Sequence, residues 1–167
     1  MTLANNWGFV PNDQFKPASK IIHLLIEIVA KGGSLLLGVG PKPDGLFPDE
    51  ATQCLKEIGT WMNKNGAAIY NTRNTKNYND GNTWFTQNNT TGTHYAMVCL
   101  KDGEPMPVSI RWKLNIPKKG SKIKWLPTGE TVNWWVAGDV VTVKVPASLS
   151  KIKDSTPALA FSFLPAE

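Results

Sequence analysis

The sequence predicts two joined architectures: the helix, strand and helix that close an α/β domain, followed by an antiparallel β-sandwich. Three observations carry this expectation. Up to about residue 65 the apolar residues keep a helical period on either side of one uncharged apolar run. From about Ala67 the period becomes two, and turn residues then punctuate the chain at short intervals.

The first helix is expected in "PASKIIHLLIEIVAKGG". Pro17 suits a helix start, apolar residues fall at Ile21, Ile22, Leu24, Leu25, Ile26, Ile28 and Val29, and Gly32 supplies the stop. This helix is apolar around most of its circumference. Residues 34 to 39, four of them Leu or Val and none charged, read as a strand buried on both faces, as in a parallel sheet covered by helices. Gly40, Pro41, Pro43 and the Asp44, Gly45 pair end it. The second helix, "FPDEATQCLKEIGTWMNKNG", starts at Pro48, carries Asp49 and Glu50 in its first turn and Lys64 before a terminating Gly66. Ala51, Cys54, Leu55, Ile58, Trp61 and Met62 form its single apolar stripe.

Seven short strands are expected in the second half: "TWFTQ", "THYAMVCLK", "PVSIRWKL", "KIKWLP", "TVNWWVA", "VVTVKVP" and "ALAFSFLP". Turn signals separate them at Asn79 to Gly81, Asp102 and Gly103, Lys119 and Gly120, Thr128 and Gly129, and Gly138 and Asp139. One strand cannot make an α/β domain. Left uncovered, the first helix and the strand would forfeit on the order of 10 to 20 kcal/mol of apolar burial, as much as the whole stability of a typical domain. The residues before 66 must therefore pack on the β domain or on protein outside this chain.

At 167 residues and 41% hydrophobic, with seven Trp, the chain is large enough for a packed core. The net charge of +5 comes from scattered lysines, densest in "PKKGSKIKW" and "SKIKD", with only two Arg; these read as solvated loops, and no nucleic-acid partner is expected. Cys54 and Cys99 have no metal spacing and read as buried thiols. No apolar run reaches the roughly 18 residues of a membrane span, and the first residues lack the charged and apolar regions of a secretory leader.

The residues carry a resemblance that spans nearly the whole chain. "NNWGFVPNDQFKPASKIIHLLIEIVAKGGSLLLGVGPKPDGLFPDEATQCLKEIGTWMNKNGAAIYNTR" closely resembles the end of the catalytic domain in family 29 of the glycoside hydrolases, the α-L-fucosidases. The family's order is Asn or Ser before Trp-Gly-Tyr or Phe, a helix ending in Lys-Gly-Gly or Lys-Asn-Gly, Asn-Leu-Leu-Leu-Asn-Val-Gly-Pro, Asp-Gly, Ile-Pro, and a Gly-x-Trp helix closing in Asn-Gly-x-x-Ile-Tyr. "TWFTQNNTTGTHYAMVCL" and "LPTGETVNWWVAGDVVTVKVP" look more loosely like the family's C-terminal β-sandwich.

The resemblance implies that residues 1–66 are the C-terminal portion of a (β/α)8-like catalytic barrel, incomplete by itself, and 67–167 a C-terminal β-sandwich. It implies a parent enzyme that hydrolyses terminal α-L-fucosides with retention, without metal or organic cofactor. Retention needs two carboxyl groups about 5 to 5.5 Å apart. In the family both lie upstream of the Trp-Gly-Phe segment, so no catalytic residue is assigned here and the isolated chain is expected to be inactive. Glu27, Asp44, Asp49, Glu50, Asp80, Asp102, Glu104 and Asp139 sit in helix or turn contexts that explain them without catalysis, and His23 and His94 lack a neighbouring nucleophile signature.

The resemblance assigns substrate contact to Trp7, as an apolar wall against fucose, with the "GPKPDG" loop at the same mouth. Gly38 departs from the family's Asn. The implied partners are fucosylated glycans, met through the parent enzyme, and the missing N-terminal barrel portion. The family's location would be secreted, periplasmic or lysosomal, and Asn88 and Asn89 stand in overlapping Asn-x-Thr sequons. Two alternatives remain. Trp84, Trp112, Trp125, Trp134 and Trp135 could form a carbohydrate-binding platform, with one of the adjacent pair Trp134 and Trp135 turned outward, or the β domain could be purely structural.

Overall fold

Pro17 and Pro48 begin the two helices. In the computed structural model, which describes residues 1–146 and 156–166, each holds the capping position in extended backbone, before α1 (Ala18–Ala30) and α2 (Asp49–Asn65). A proline there removes no helical hydrogen bond, because the first N–H groups of a helix have no partner within it. After α1 the chain turns at Gly32, whose φ of +86° is costly for any other residue. Asp49 and Glu50 face the positive end of α2, and Lys64 the negative end. Gly66, expected as the stop of α2, has an ordinary helical φ of −58°, and the chain winds on through a 3-10 turn at Gly66–Ala68. Its missing side chain makes room for Tyr70, whose ring carbon would lie 3.0 Å from an added Cβ.

Among the described residues nine strands follow: β1 (Thr72–Asp80), β2 (Thr83–Asn88), β3 (His94–Cys99), β4 (Ser109–Lys113), β5 (Ile123–Trp125), β6 (Thr131–Val132), β7 (Trp134–Ala137), β8 (Val140–Lys144) and β9 (Ala158–Phe163). They pair antiparallel into a six-stranded sheet, ordered β1-β2-β3-β9-β5-β6, and a three-stranded sheet, ordered β4-β8-β7. All seven expected runs contain a strand, and two details differ. β1 was not expected, since "TRNTKNYND" holds no apolar alternation and only Thr75 in it is buried. "TVNWWVA" is two strands in two sheets, the chain crossing at Asn133, whose carbonyl accepts the Lys144 amide at 2.8 Å.

The two sheets face each other across one core. From the larger sheet come Phe85, Ala96, Val98, Ile123, Trp125, Leu159, Phe161 and Phe163, and from the smaller Ile110, Trp112, Val141 and Val143. The alternate residues of β3 and β9 point the other way. Tyr95, Met97, Ala158 and Ala160 pack against Ile22 and Ile26 of α1 and Trp61 of α2. The result is three layers: helices, six-stranded sheet, three-stranded sheet. The β domain is therefore what covers one side of the helices. Trp61 Nε1 donates to the Ala158 carbonyl at 3.0 Å, Thr86 Oγ1 to that of Ala68 at 2.8 Å, and His23 Nε2 lies 2.7 Å from that of Pro157.

A second stripe of the helices, with Ala18, Ile21, Ala51 and Cys54, buries against Leu3, Leu35, Leu37 and Val39. Here the expectation of a strand buried on both faces needs correction. Residues 34–39 are extended, but their one bridge is the parallel contact Thr2↔Gly38, and Leu36 is 84% exposed. A parallel strand takes its second neighbour and its second cover from other βα units, and residues 1–3 supply only one neighbour. The lysines of "PKKGSKIKW" are exposed, as expected of a solvated loop, and "SKIKD" lies outside the described residues. No described helix is long and apolar enough to cross a membrane.

Ile26 is fully buried at the helix–sheet seam. Ile26→Ala is expected to lower unfolding stability by about 2–5 kcal/mol, measured by urea denaturation. An Ile28→Ala control, at a half-buried position on the same helix, should cost clearly less.

Candidate functional site

The site forms where the two extended segments end. Gly38 donates its amide to the Met1 carbonyl at 2.8 Å and accepts that of Leu3 at 2.9 Å, a short parallel pairing bridged in sequence by a loop and α1. In a βαβ arrangement both segments point the same way, so the loops that follow them, residues 4–16 and 40–47, emerge at one end. Those loops touch. A Cβ placed on Gly40 would lie 2.5 Å from the Phe9 nitrogen and 2.6 Å from the Gly8 carbonyl carbon, so only glycine permits this approach.

The first loop is closed at its base by three layers of bonds. Lys16 N donates to Leu3 O and Asn5 N to Gln14 O, at 3.0 and 3.1 Å, and Ala4 bridges Phe15. The Lys16 ammonium donates to the carbonyls of Thr2 and Ala4, at 2.9 and 2.8 Å. Asp13 takes the Asn6 amide on Oδ2 at 3.0 Å and the Gln14 amide on Oδ1 at 2.8 Å. The Asn6 amide is the largest influence holding the Asp13 carboxyl below the usual 3.8, with that of Gln14 adding to it. Trp7 stands at the crown of this loop, 89% exposed, with Phe9, Val10, Leu46 and Phe47 also exposed. Sequence reading named Trp7 but missed Asp13, Lys16 and Gly40, which hold its loop. An Asp seven residues after Asn6 carries no local signal of that tie.

An exposed indole suits the C–H face of a sugar. The two carboxylates within these loops are both engaged by backbone amides. Asp13 is engaged as described, and Asp44 accepts the Leu46 amide at 3.0 Å, the chief reason its carboxyl is also held low, with Lys42 contributing. Of the other acidic residues considered, five have structural partners: Glu27 with Lys31 at 2.5 Å, Asp80 with the Lys113 amide at 2.6 Å, Asp102 with the Ser19 hydroxyl at 3.0 Å, Glu104 with Lys101 at 3.4 Å and Asp139 with the Lys113 ammonium at 3.7 Å, while Asp49 and Glu50 lie exposed in the first turn of α2. His94 packs edge-on against Phe163, and burial pushes its imidazole below the usual 6.5, against an opposing hydrogen bond with Asn115. Among the described residues no three His, Cys, Asp or Glu converge to hold a metal. Cys54 is buried, and burial pushes the Cys99 thiol up to about 12, which leaves it unreactive at neutral pH.

The five tryptophans considered as a platform do not form one. Trp112 and Trp125 lie in the sandwich core, Trp134 packs against it and donates to Ser121 O at 3.1 Å, and Trp84 stacks on Tyr78 beneath Lys31. Trp135 alone turns outward, 51% exposed.

Residues 1–67 match the family model "Alpha-L-fucosidase". The chain is 30% identical over 138 residues to plasma α-L-fucosidase of Homo sapiens, covering 77% of this chain and 28% of that protein. It is 35% identical over 101 residues to α-L-fucosidase of Dictyostelium discoideum, covering 58% and 22%. A crystal structure of Thermotoga maritima α-fucosidase in complex with fucose superposes with a TM-score of 0.81 at 25% identity, covering 98% of this chain and 38% of that one. The chain belongs to the α-L-fucosidase family of glycoside hydrolases and matches the C-terminal region of its structures. It spans between about a fifth and two-fifths of the length of these relatives.

Two outcomes test the loop. Gly40→Ala should displace Gly8 and Phe9 and shift the Trp7 indole resonance in a ¹H–¹⁵N spectrum, leaving those of Trp112 and Trp125 in place. The Asp13 tie follows from a folded value below the unfolded one: it is complete above the ordinary 3.8 and is lost as pH falls through Asp13's own lower value. Exchange protection of the Asn6 amide should be constant from neutral pH down to about 4 and fall below it. In Asp13→Asn that acid transition should vanish.

Proposed function

We propose that this chain is the C-terminal portion of a retaining α-L-fucosidase, supplying the last strand-and-helix units of a catalytic barrel, one sugar-contacting loop and the bracing sandwich. The observation that carries this reading is the mouth itself. Trp7 is held exposed over Gly40 at the end of a parallel pair whose outer side, at Leu36, is bare. A parallel pair with an uncovered face and an aromatic loop at its end is what a barrel segment presents when its neighbours come from elsewhere in the protein.

In this reading the nucleophile and the acid/base carboxylate belong to the upstream part of the barrel. Trp7 offers its ring to the methyl group and C–H face of fucose. The 4–16 and 40–47 loops fix its position, and the sandwich fixes the loops by seating α1 and α2. The substrates are fucosylated glycans, reached only by the assembled enzyme. That a related protein was crystallised with fucose supports the sugar assignment.

The experiment is hydrolysis of an aryl α-L-fucoside by the 167 residues alone and by a form extended with the preceding barrel. No turnover for the short form and turnover for the long one is the expected result. In the long form, Trp7→Ala should lower kcat/KM by about tenfold or more, the value of one well-stacked ring at about 1–3 kcal/mol. Turnover by the short form, or an unchanged Trp7→Ala, would reject the reading.

A further inference from the structure

Among the described residues, the three layers leave one sheet face without cover. The six-stranded sheet carries helices on one side and the smaller sheet on the other, so the outward face of β4-β8-β7 is the side farthest from the barrel segment. The register sets Arg111, Thr142 and Trp135 in one cross-strand row, because Arg111 pairs with Thr142 and Thr142 with Trp135. The row alternates with inward Trp112, Val141 and Trp134, which puts all three side chains on the outer face. Lys144 and Lys113 occupy the neighbouring rows on the same face.

What these groups do for the fold is little. Arg111 and Lys144 are exposed, and no side-chain hydrogen bond or ion pair engages either among the described residues; Lys113 alone has a carboxylate partner, Asp139, at 3.7 Å. Trp135 is half exposed at a sheet edge, and Thr142 between it and Arg111 is buried. The strands of Trp135 and Arg111 lie two spacings, about 10 Å, apart, and an exposed indole and a free guanidinium on one row match a ligand with a flat C–H face and an anionic substituent.

We propose that this face is a binding site for anionic saccharides, in which Trp135 stacks on a sugar ring and Arg111, aided by Lys144, takes the ring's sulfate or carboxylate. The guanidinium offers paired N–H donors to either oxyanion. The charge complementarity decides for an anionic sugar over a neutral one: both carboxylates near the face, Asp139 and Asp80, engage Lys113, which leaves Arg111 and Lys144 without an anionic partner among the described residues. The site is independent of the fucosidase reading and needs no part of the barrel.

The test uses the full chain in calorimetric titration at fixed ionic strength. The probes are a sulfated tetrasaccharide, its desulfated counterpart, a uronic-acid tetrasaccharide and a single-stranded DNA oligonucleotide of equal charge. The expected result is binding of the sulfated or the uronic probe, with the preferred probe naming the anion. Its affinity should fall by about tenfold or more in Trp135→Ala and in Arg111→Gln, the worth of one stacked ring or one charge-assisted bond, with partial rescue in Arg111→Lys. Thermal unfolding of each variant checks that the sandwich is intact; should Trp135→Ala not fold, Trp135→Phe and the Arg111 pair carry the test. No binding of either anionic saccharide, equal binding of the desulfated probe, equal or tighter binding of DNA, or binding unaffected by these substitutions would overturn the proposal.

Discussion

Everything else in the structure rests on a middle sheet that is buried on both faces. β3 and β9 are its central strands, and each gives one set of side chains to the sandwich core and the other to the helices. The helix side is made of unequal parts: Tyr95 and Met97 on β3 are large, while Ala158 and Ala160 on β9 are small. That difference creates a seat in which Trp61 lies close enough for its indole to reach the Ala158 carbonyl. A buried indole N–H without that acceptor would carry its desolvation cost uncompensated, about 1–3 kcal/mol, so the bond fixes both the depth and the rotation of α2.

Placement of the helices then determines the mouth. α1 and α2 each divide their apolar surface lengthwise, one part to the sheet and one to the extended segments that end in the loops. Trp7 touches no strand of the sandwich, yet its position descends from it through Ile26, Ile21 and Leu3. The last link is steric. Gly8 and Phe9 rest on Gly40 at a separation no other residue would permit, so the mouth is set by contact between backbones and does not depend on a side chain choosing its rotamer.

Much of this was legible in the residues. Helix limits followed from Pro17, Pro48 and Gly32, and the seven strand runs from their period and turn residues. β1 was not legible because it is an edge strand whose only buried residue is a threonine, so the pattern that marks a half-buried strand is absent. The split of "TVNWWVA" was hidden for a different reason: Val132 and Trp134 both point into the core, so the period runs unbroken while the chain changes sheets at Asn133. The apolar run at 34–39 has the composition of a strand covered on both faces, yet it forms a single bridge and leaves Leu36 exposed, because how many faces are covered depends on which neighbours are present. Trp7 was named through the motif around it. The residues that hold its loop lie up to nine positions away from it, or 33 in the case of Gly40, and no period connects them.

The distribution of charge separates the two ends of the molecule. The carboxylates near the mouth, Asp13 and Asp44, serve backbone amides that shape their own loops, and for that reason are poor proton donors at neutral pH. At the opposite end Arg111 and Lys144 of the small sheet are unengaged among the described residues. An exposed lysine or arginine on a sheet is often a defence against edge pairing, and β4 is an edge strand. That role accounts for charge on β4 but not for Trp135 on the other edge, β7, where an exposed aromatic ring invites the association that the charges discourage. A purely protective edge would not pair the two in one row across Thr142. The arrangement suits recognition, with attraction limited to ligands that satisfy the ring and the cation together.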